Sequence, residues 1–352
     1  MEEFDDLLPC HQQERLLADL AGLESVAEAP ELARRLRAFL FALAGRGFGG
    51  QAMTRFISLF NDRLTERLIA LTAHRHRLPP VDWCWLAMGS EGRHEQTFVS
   101  DQDNGLVFAA ADQREADALR QLFLPFAQEV NQRLADCGFA LCSGQIMAGN
   151  PSWCQSYDEW RECFIDWVRR PEPTALLNAT IFFDLQPLCG QCELGERLRS
   201  LILALTTDTP AFQHLMVANA LQASVPLNFR GSVAADGEGA LDLKKSGSRI
   251  FVDAARIFAL ATGVRAVNTS ERLREAGKLA GMTPGEIAAA DAAFAHILRL
   301  RLDQQLADRV GDAVADRGFK PSSLHEVDTA ILLESLRQAR RLQQRLKLNY
   351  AL

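Results

Sequence analysis

The chain has no long apolar run. No segment reaches the roughly 20 uninterrupted apolar residues that a bilayer-spanning helix needs, and each long helical stretch carries charge. No membrane partner is expected. Positive charge is also short: 38 Lys and Arg against 45 Asp and Glu leave a net charge of -7. That weighs against general nucleic-acid binding, which needs surplus cations to neutralise phosphates. There is no basic and apolar leader, because Met1-Glu2-Glu3-Phe4-Asp5-Asp6 is acidic. A cytoplasmic protein with mostly free thiols is therefore expected. Of the eight cysteines, Cys189 and Cys192 have CxxC spacing, but no second pair completes a zinc site. Gly89-Ser90-Glu91-Gly92 is neither a dinucleotide fingerprint nor a Walker loop. It has no convincing Cys-His nucleophilic set and no fixed-period repeat.

What is present is ample apolar material. The 352 residues are 48% hydrophobic and include 20 Phe, enough for two or three domains. Leu17, Leu20 and Leu23, then Leu36, Phe39, Leu40 and Leu43, then Phe56, Phe60, Leu64 and Leu68 recur at three and four. That spacing predicts helices from residue 11 to about 75, ended by Pro79-Pro80. Trp83–Met88 and Gly105–Ala109 read as strands, residues 112–137 as a helix stopped by Gly138, and Phe139–Cys142 as a third strand. This order predicts a small α/β unit. Beyond about residue 155 the pattern is helical, near 158–170, 193–206, 209–223, 250–262, 270–279, 285–309 and 323–348, with a turn at Asp236-Gly237-Glu238-Gly239. The stripe Leu332, Leu333, Leu336, Ala339, Leu342 and Leu346 suits either a bundle helix or the seam of a homodimer. The expected fold class is α+β: an N-terminal helical region (1–80), an α/β core (81–155) and an all-helical domain (156–352).

Chemistry concentrates in Met88-Gly89-Ser90-Glu91-Gly92-Arg93-His94-Glu95-Gln96 and in Ser100-Asp101-Gln102-Asp103-Asn104. On a strand, carboxylates two apart share one face. Asp101 and Asp103 then suit one or two divalent cations. Gly89 lets backbone approach a phosphate, Ser90 supplies a hydroxyl donor, and Arg93 a bidentate cation. The competing reading is an ordinary solvated turn.

These two stretches resemble a nucleotidyltransferase family of unknown substrate, the DUF294 type, itself similar to the DNA polymerase β-like nucleotidyltransferases. Its relatives include bacterial PII uridylyltransferase and glutamine-synthetase adenylyltransferase. Met147–Cys154, Trp160 and Phe183-Asp184-Leu185 resemble its junction. Lys244-Lys245, Asp253–Leu260 and Asn268–Leu273 resemble its C-terminal, substrate-binding domain. The resemblance implies a polymerase β-like core in which Gly89 and Ser90 form the phosphate-binding turn and Asp101 and Asp103 ligate Mg²⁺ or Mn²⁺. An NTP, ATP or UTP first, would be the donor. A protein or small-molecule hydroxyl would be the acceptor. Active members of the wider group carry a third carboxylate on a later strand, and Phe139–Ser143 has none. Asp166 and Asp184 are the substitutes available. Gln186 stands where the family commonly has arginine. The alternative function is therefore a weak or inactive nucleotide-binding regulatory protein.

Outside the motif, Lys244, Lys245 and Arg249 face either the triphosphate or an acidic partner, the bland reading being a solvated loop. Asn150 and Asp184 are expected in the substrate pocket as polar residues among apolar ones. Arg256 on an apolar helix needs Asp253, Asp184 or a ligand as partner. His94 reads as a surface histidine or one supporting the turn. Trp153, Trp160 and Trp167, at sevens, are expected to pack the two halves together.

Overall fold

A computed structural model describes residues 10–47, 49–228, 231–234, 239–310, 313–314 and 318–352. Residues 1–6 and 236–238, on which two of the readings above fall, lie outside that set. The early leucine and phenylalanine spacings give three helices, α1 (Cys10–Ala21), α2 (Ala29–Ala44) and α3 (Gly50–His76). Arg77 closes α3 in the left-handed region, just ahead of Pro79. Then come β1 (Trp83–Ala87), a four-residue helical turn α4 (Gly89–Gly92), β2 (Asn104–Phe108) and α5 (Gln113–Asp136). Asp112 caps α5 by accepting from the Glu115 amide, as short acidic side chains do at helix starts. β3 (Cys154–Ser156), α6 (Tyr157–Arg169), α7 (Pro173–Phe182), β4 (Gln186–Gly190), α8 (Cys192–Thr207) and α9 (Pro210–Ala220) follow. Among the described residues that follow are the helices α10 (Arg249–Thr262), α11 (Thr269–Leu279), α12 (Pro284–Ala307) and α13 (Glu326–Tyr350) and the two-residue strands β5 (Arg309–Val310) and β6 (Ala313–Val314). The fold is α+β, with a small four-stranded sheet and an almost entirely helical C-terminal region.

The sheet runs β3-β2-β1-β4. β1 is antiparallel to β2 and β4, and β3 is parallel to β2. Strand alternation sends side chains to two separate cores. Cys84, Leu86, Met88 and Val107 join a core shared with α6–α13. Trp85, Leu106 and Phe108 join another, with α1, α2, α3 and α5. The sheet is thus the middle layer between the N-terminal helices and the helical half. Trp153, Trp160, Trp167 and Phe182 form a ring cluster there, with Trp160 stacked on Trp153 at 6.0 Å and donating from Nε1 to the Leu106 carbonyl. The apolar stripe of α13 is buried inside the chain, with Leu332, Leu336, Ala339, Leu342 and Leu346 all within the shared core, so it is used as a bundle face.

Three local expectations are corrected. Phe139–Cys142 is not a strand. It follows Gly138 at φ 92 and makes one bridge, Ala140 with Asp101, and Leu141 is exposed, so no alternating face exists to bury. The outer strand is instead the three-residue β3. β4 lies in a segment read as helical. Its Pro187 cannot donate to a ladder, which suits an edge strand. The named helical stretches leave out α7, which lies between them in the region read as helical: Ala175, Leu176, Leu177 and Ile181 spread apolar groups around it, so no one-sided period marks it.

Candidate functional site

β1 delivers the chain into α4, and the antiparallel pairing brings the segment before β2 back alongside. The Met88 amide donates to the Asp103 carbonyl at 2.9 Å. Gly89 sits at φ 54, and a Cβ built there meets Asp103 Oδ2 at 2.5 Å. Gly92 is equally confined, because a Cβ there meets the Asp184 carbonyl at 2.1 Å. Only glycine suits either place. The turn is thereby wedged between the carboxylate pair on one side and the α7–β4 junction on the other.

A cleft of about 340 Å³ opens beside this turn. Gly89, Ser90, Arg93, Asp101 and Asp103 line it from the sheet side, and Lys244, Lys245, Arg249, Asp253, Arg256 and Arg301 from the helical half. Ile181, Val252, Phe294 and Leu298 supply apolar wall. Lys244 Nζ lies 3.9 Å from Asp101 Oδ2, the ion pair that crosses the cleft. Burial, with the Asp101 charge adding to it, pushes the Asp103 carboxyl up to about 6, while a Cys142 thiol hydrogen bond, Lys244 and Arg93 oppose the rise. Under the turn, burial together with Asp62 and Asp103 holds Glu91 well above the usual carboxylate range. His94, left-handed at φ 54, faces Asp62 at 3.2 Å, and that hydrogen bond raises its imidazole.

The floor is an ionic cluster. Asp184 is fully buried and receives three arginines: Arg93 Nη1 at 2.6 Å, Arg256 through Nε and Nη2 at 2.9 and 2.6 Å, and Arg272 Nη1 at 2.6 Å. Burial alone would raise its carboxyl. The three guanidiniums overcome that and hold it well below the usual range. Arg93 Nε also donates to Glu95, and Arg256 Nη1 to Asp253. Glu95 accepts the Thr269 amide, and Asn268 donates to the Arg93 carbonyl. The signature turn is thus tied to α10 and α11.

Of the residues singled out in the sequence, Gly89, Ser90, Arg93, Asp101, Asp103, Lys244 and Lys245 come together around one cleft. Asn150 and Asp184 do not line it. Asn150 caps the turn at Pro151–Trp153 and donates to the Gln145 carbonyl, and Asp184 is enclosed beneath the floor. Asp166 is exposed on α6, 3.4 Å from Arg170. The position alongside Asp103 belongs to Cys142. Arg301 and Asp253 went unremarked as lining residues. Arg301 stands in a run of alternating leucine and arginine on α12, where only the helix packing decides which arginine faces inward. Among the described residues, no group of three or more His, Cys, Asp or Glu is arranged to hold a metal ion, and no helix is long and apolar enough to cross a membrane.

A mixed sheet whose first strand ends in a glycine-serine turn, with a carboxylate pair alongside and a helical half closing the cleft, is a nucleotidyltransferase-like arrangement. Residues 34–174 match the family described as "Putative nucleotidyltransferase DUF294", and residues 210–350 match its "Putative nucleotidyltransferase substrate binding domain". The two matches cover about four-fifths of the chain, which belongs to this family. No curated protein matches it.

Proposed function

We propose that the protein transfers a nucleoside monophosphate from an NTP to an acceptor hydroxyl, with release of pyrophosphate. One observation carries this reading: the Gly89-Ser90 turn and the Asp101/Asp103 pair share a cleft whose far wall is cationic. The donor set is all hard oxygen, and the Asp103 carboxyl, raised first by burial and then by the neighbouring Asp101 charge, gains from a cation beside it. Both features fit Mg²⁺ or Mn²⁺, which two carboxylates bind when phosphate oxygens complete the shell. Such an ion supplies neutralisation of charge on the triphosphate. Ser90 donates to a phosphate oxygen, Gly89 lets the backbone come close, and Lys244 balances the phosphates from the opposite wall. Arg93, held by Asp184 and Glu95, fixes the floor. The acceptor oxygen forms its bond to the α phosphorus, and the bond from that phosphorus to the bridging oxygen breaks. Pyrophosphate leaves with the electron pair, and the hydroxyl proton passes to water.

The test is calorimetric binding of each NTP with and without Mg²⁺, on wild type and the D101A/D103A variant. Metal-dependent binding that the double substitution abolishes is the expected result. Undiminished binding in the variant sinks the assignment. A second reading, nucleotide binding without efficient transfer, is favoured by Cys142 standing beside Asp103 where a third carboxylate is wanted. Tight binding with no labelled product across many acceptors would select it.

A further inference from the structure

The cations facing the cleft differ in exposure. Arg93 and Arg256 are sunk in the floor and each bonded to two carboxylates. Lys244, Lys245 and Arg249 stand at the mouth, with side chains 57%, 78% and 44% exposed. All three come from one short segment. Lys244–Ser248 is a π turn in which the Arg249 amide donates to the Lys244 carbonyl. Such widened turns recur at functional sites, and Lys244, Lys245 and Arg249 all line the cleft.

The present partners of these cations are easily exchanged. Lys245 Nζ is 3.3 Å from the half-exposed Asp242. Arg249 Nε is 3.2 Å from Asp253, a carboxylate already held by Arg256. The Lys245–Asp242 pair is exposed and screened by solvent, and the buried Asp253 keeps Arg256 when Arg249 turns to a ligand. In a chain of net charge -7, the cleft lining holds six cations against four carboxylates, a local surplus that draws anions. The cleft, at about 340 Å³, lies near the lower end of small-molecule sites, which begin at roughly 300 Å³. A donor nucleotide fills it and leaves the acceptor at the mouth.

We infer that Lys245 and Arg249 form an anion-recognition site for the acceptor, and that the acceptor is a small hydroxyl compound carrying a phosphate or carboxylate group. The inference rests on the transfer reading above, with Lys244, beside Asp101, assigned to the donor. The group transferred and the bonds exchanged are those already given. The added element is a second anionic group that anchors the acceptor away from its reacting oxygen.

Two measurements test it. Inorganic phosphate is titrated, with phosphorus NMR as readout, into protein loaded with Mg²⁺ and a methylene-bridged NTP analogue that cannot transfer. Phosphate is expected to bind the loaded protein and to lose roughly tenfold or more in affinity in K245E and in R249A, the loss typical of removing a guiding charge. Phosphate that binds only when the analogue is absent is occupying the donor's place and overturns the inference. In D101A/D103A without donor, phosphate binding is expected to survive and to be weakened by added K245E, so failure of the transfer reading and failure of this site are separable. The second measurement offers an α-labelled NTP with matched acceptors, glycerol against glycerol phosphate and glucose against glucose phosphate. Label in the anionic members alone supports the site. Equal label in the neutral members, or label only in an acidic protein, overturns it.

Discussion

Asp103 is the residue whose charge state governs the cleft. Its carboxyl titrates near pH 6 in the folded protein and near 3.9 when unfolded. The folded state therefore binds more protons between those values, and stability falls as pH rises from about 4 to 6. Asp103→Asn should raise stability at pH 7 by up to about 3 kcal/mol in metal-free buffer and have no effect near pH 3. Denaturant titrations at the two pH values check this. Ligand behaviour runs the other way: a cation competes with the proton, so affinity for the Mg²⁺–nucleotide should drop as pH falls through 6. The burial that raises Asp103 was not legible from spacing. The sequence placed Asp101 and Asp103 on one face, but Cys142, Lys244 and Glu91 reach them only through the fold. Gly89 was legible as a phosphate turn, and its second constraint, the Asp103 oxygen where a Cβ would go, was not. Gly89→Ala should cost about 1 kcal/mol or more from the left-handed backbone alone and should abolish nucleotide binding. Thermal melts and calorimetry separate those effects.

The elements around the floor are joined by charge. Asp184 links the α7–β4 junction to α10, α11 and the turn after α4. Read as a polar residue among apolar neighbours, it was expected to meet substrate; its neighbours turn out to be three arginines from distant segments. Asp184→Ala strips the shared partner from all three and should destabilise the protein by about 3–5 kcal/mol, the usual result of breaking a buried charge network. Chemical denaturation measures it, and a loss below about 1 kcal/mol would show that the arginines find other partners. Helices with one apolar face were legible because burial follows the 3.6-residue period, as in α5 and α13. The elements that escaped were the ones without a period to read: the short β3, the Pro-containing β4, and α7, apolar all round.

At the scale of the molecule, the two hydrophobic cores do not follow the division between sheet and helical half. One face of β1 and β2 is buried only by the helices that come later in the chain. Gln305 adds a polar tie, accepting from the Phe98 amide and donating to Thr97. Denaturation should accordingly be a single transition by both tryptophan fluorescence and far-ultraviolet circular dichroism. A fragment ending before residue 210 should fail to give a dispersed NMR spectrum, and a folded fragment would refute the shared interior. The same sheet face bears on recombination. Nature and engineers both exchange catalytic and recognition modules by cutting between them, and here the cut passes through packed side chains. A chimera that joins residues 210–350 to a foreign core would have to import α7 and α8, which pack against α9 and α10, and the Glu95–Phe98 segment as well. The two halves of this chain are thus bound to change together, and a new acceptor would be reached by altering the rim of the cleft.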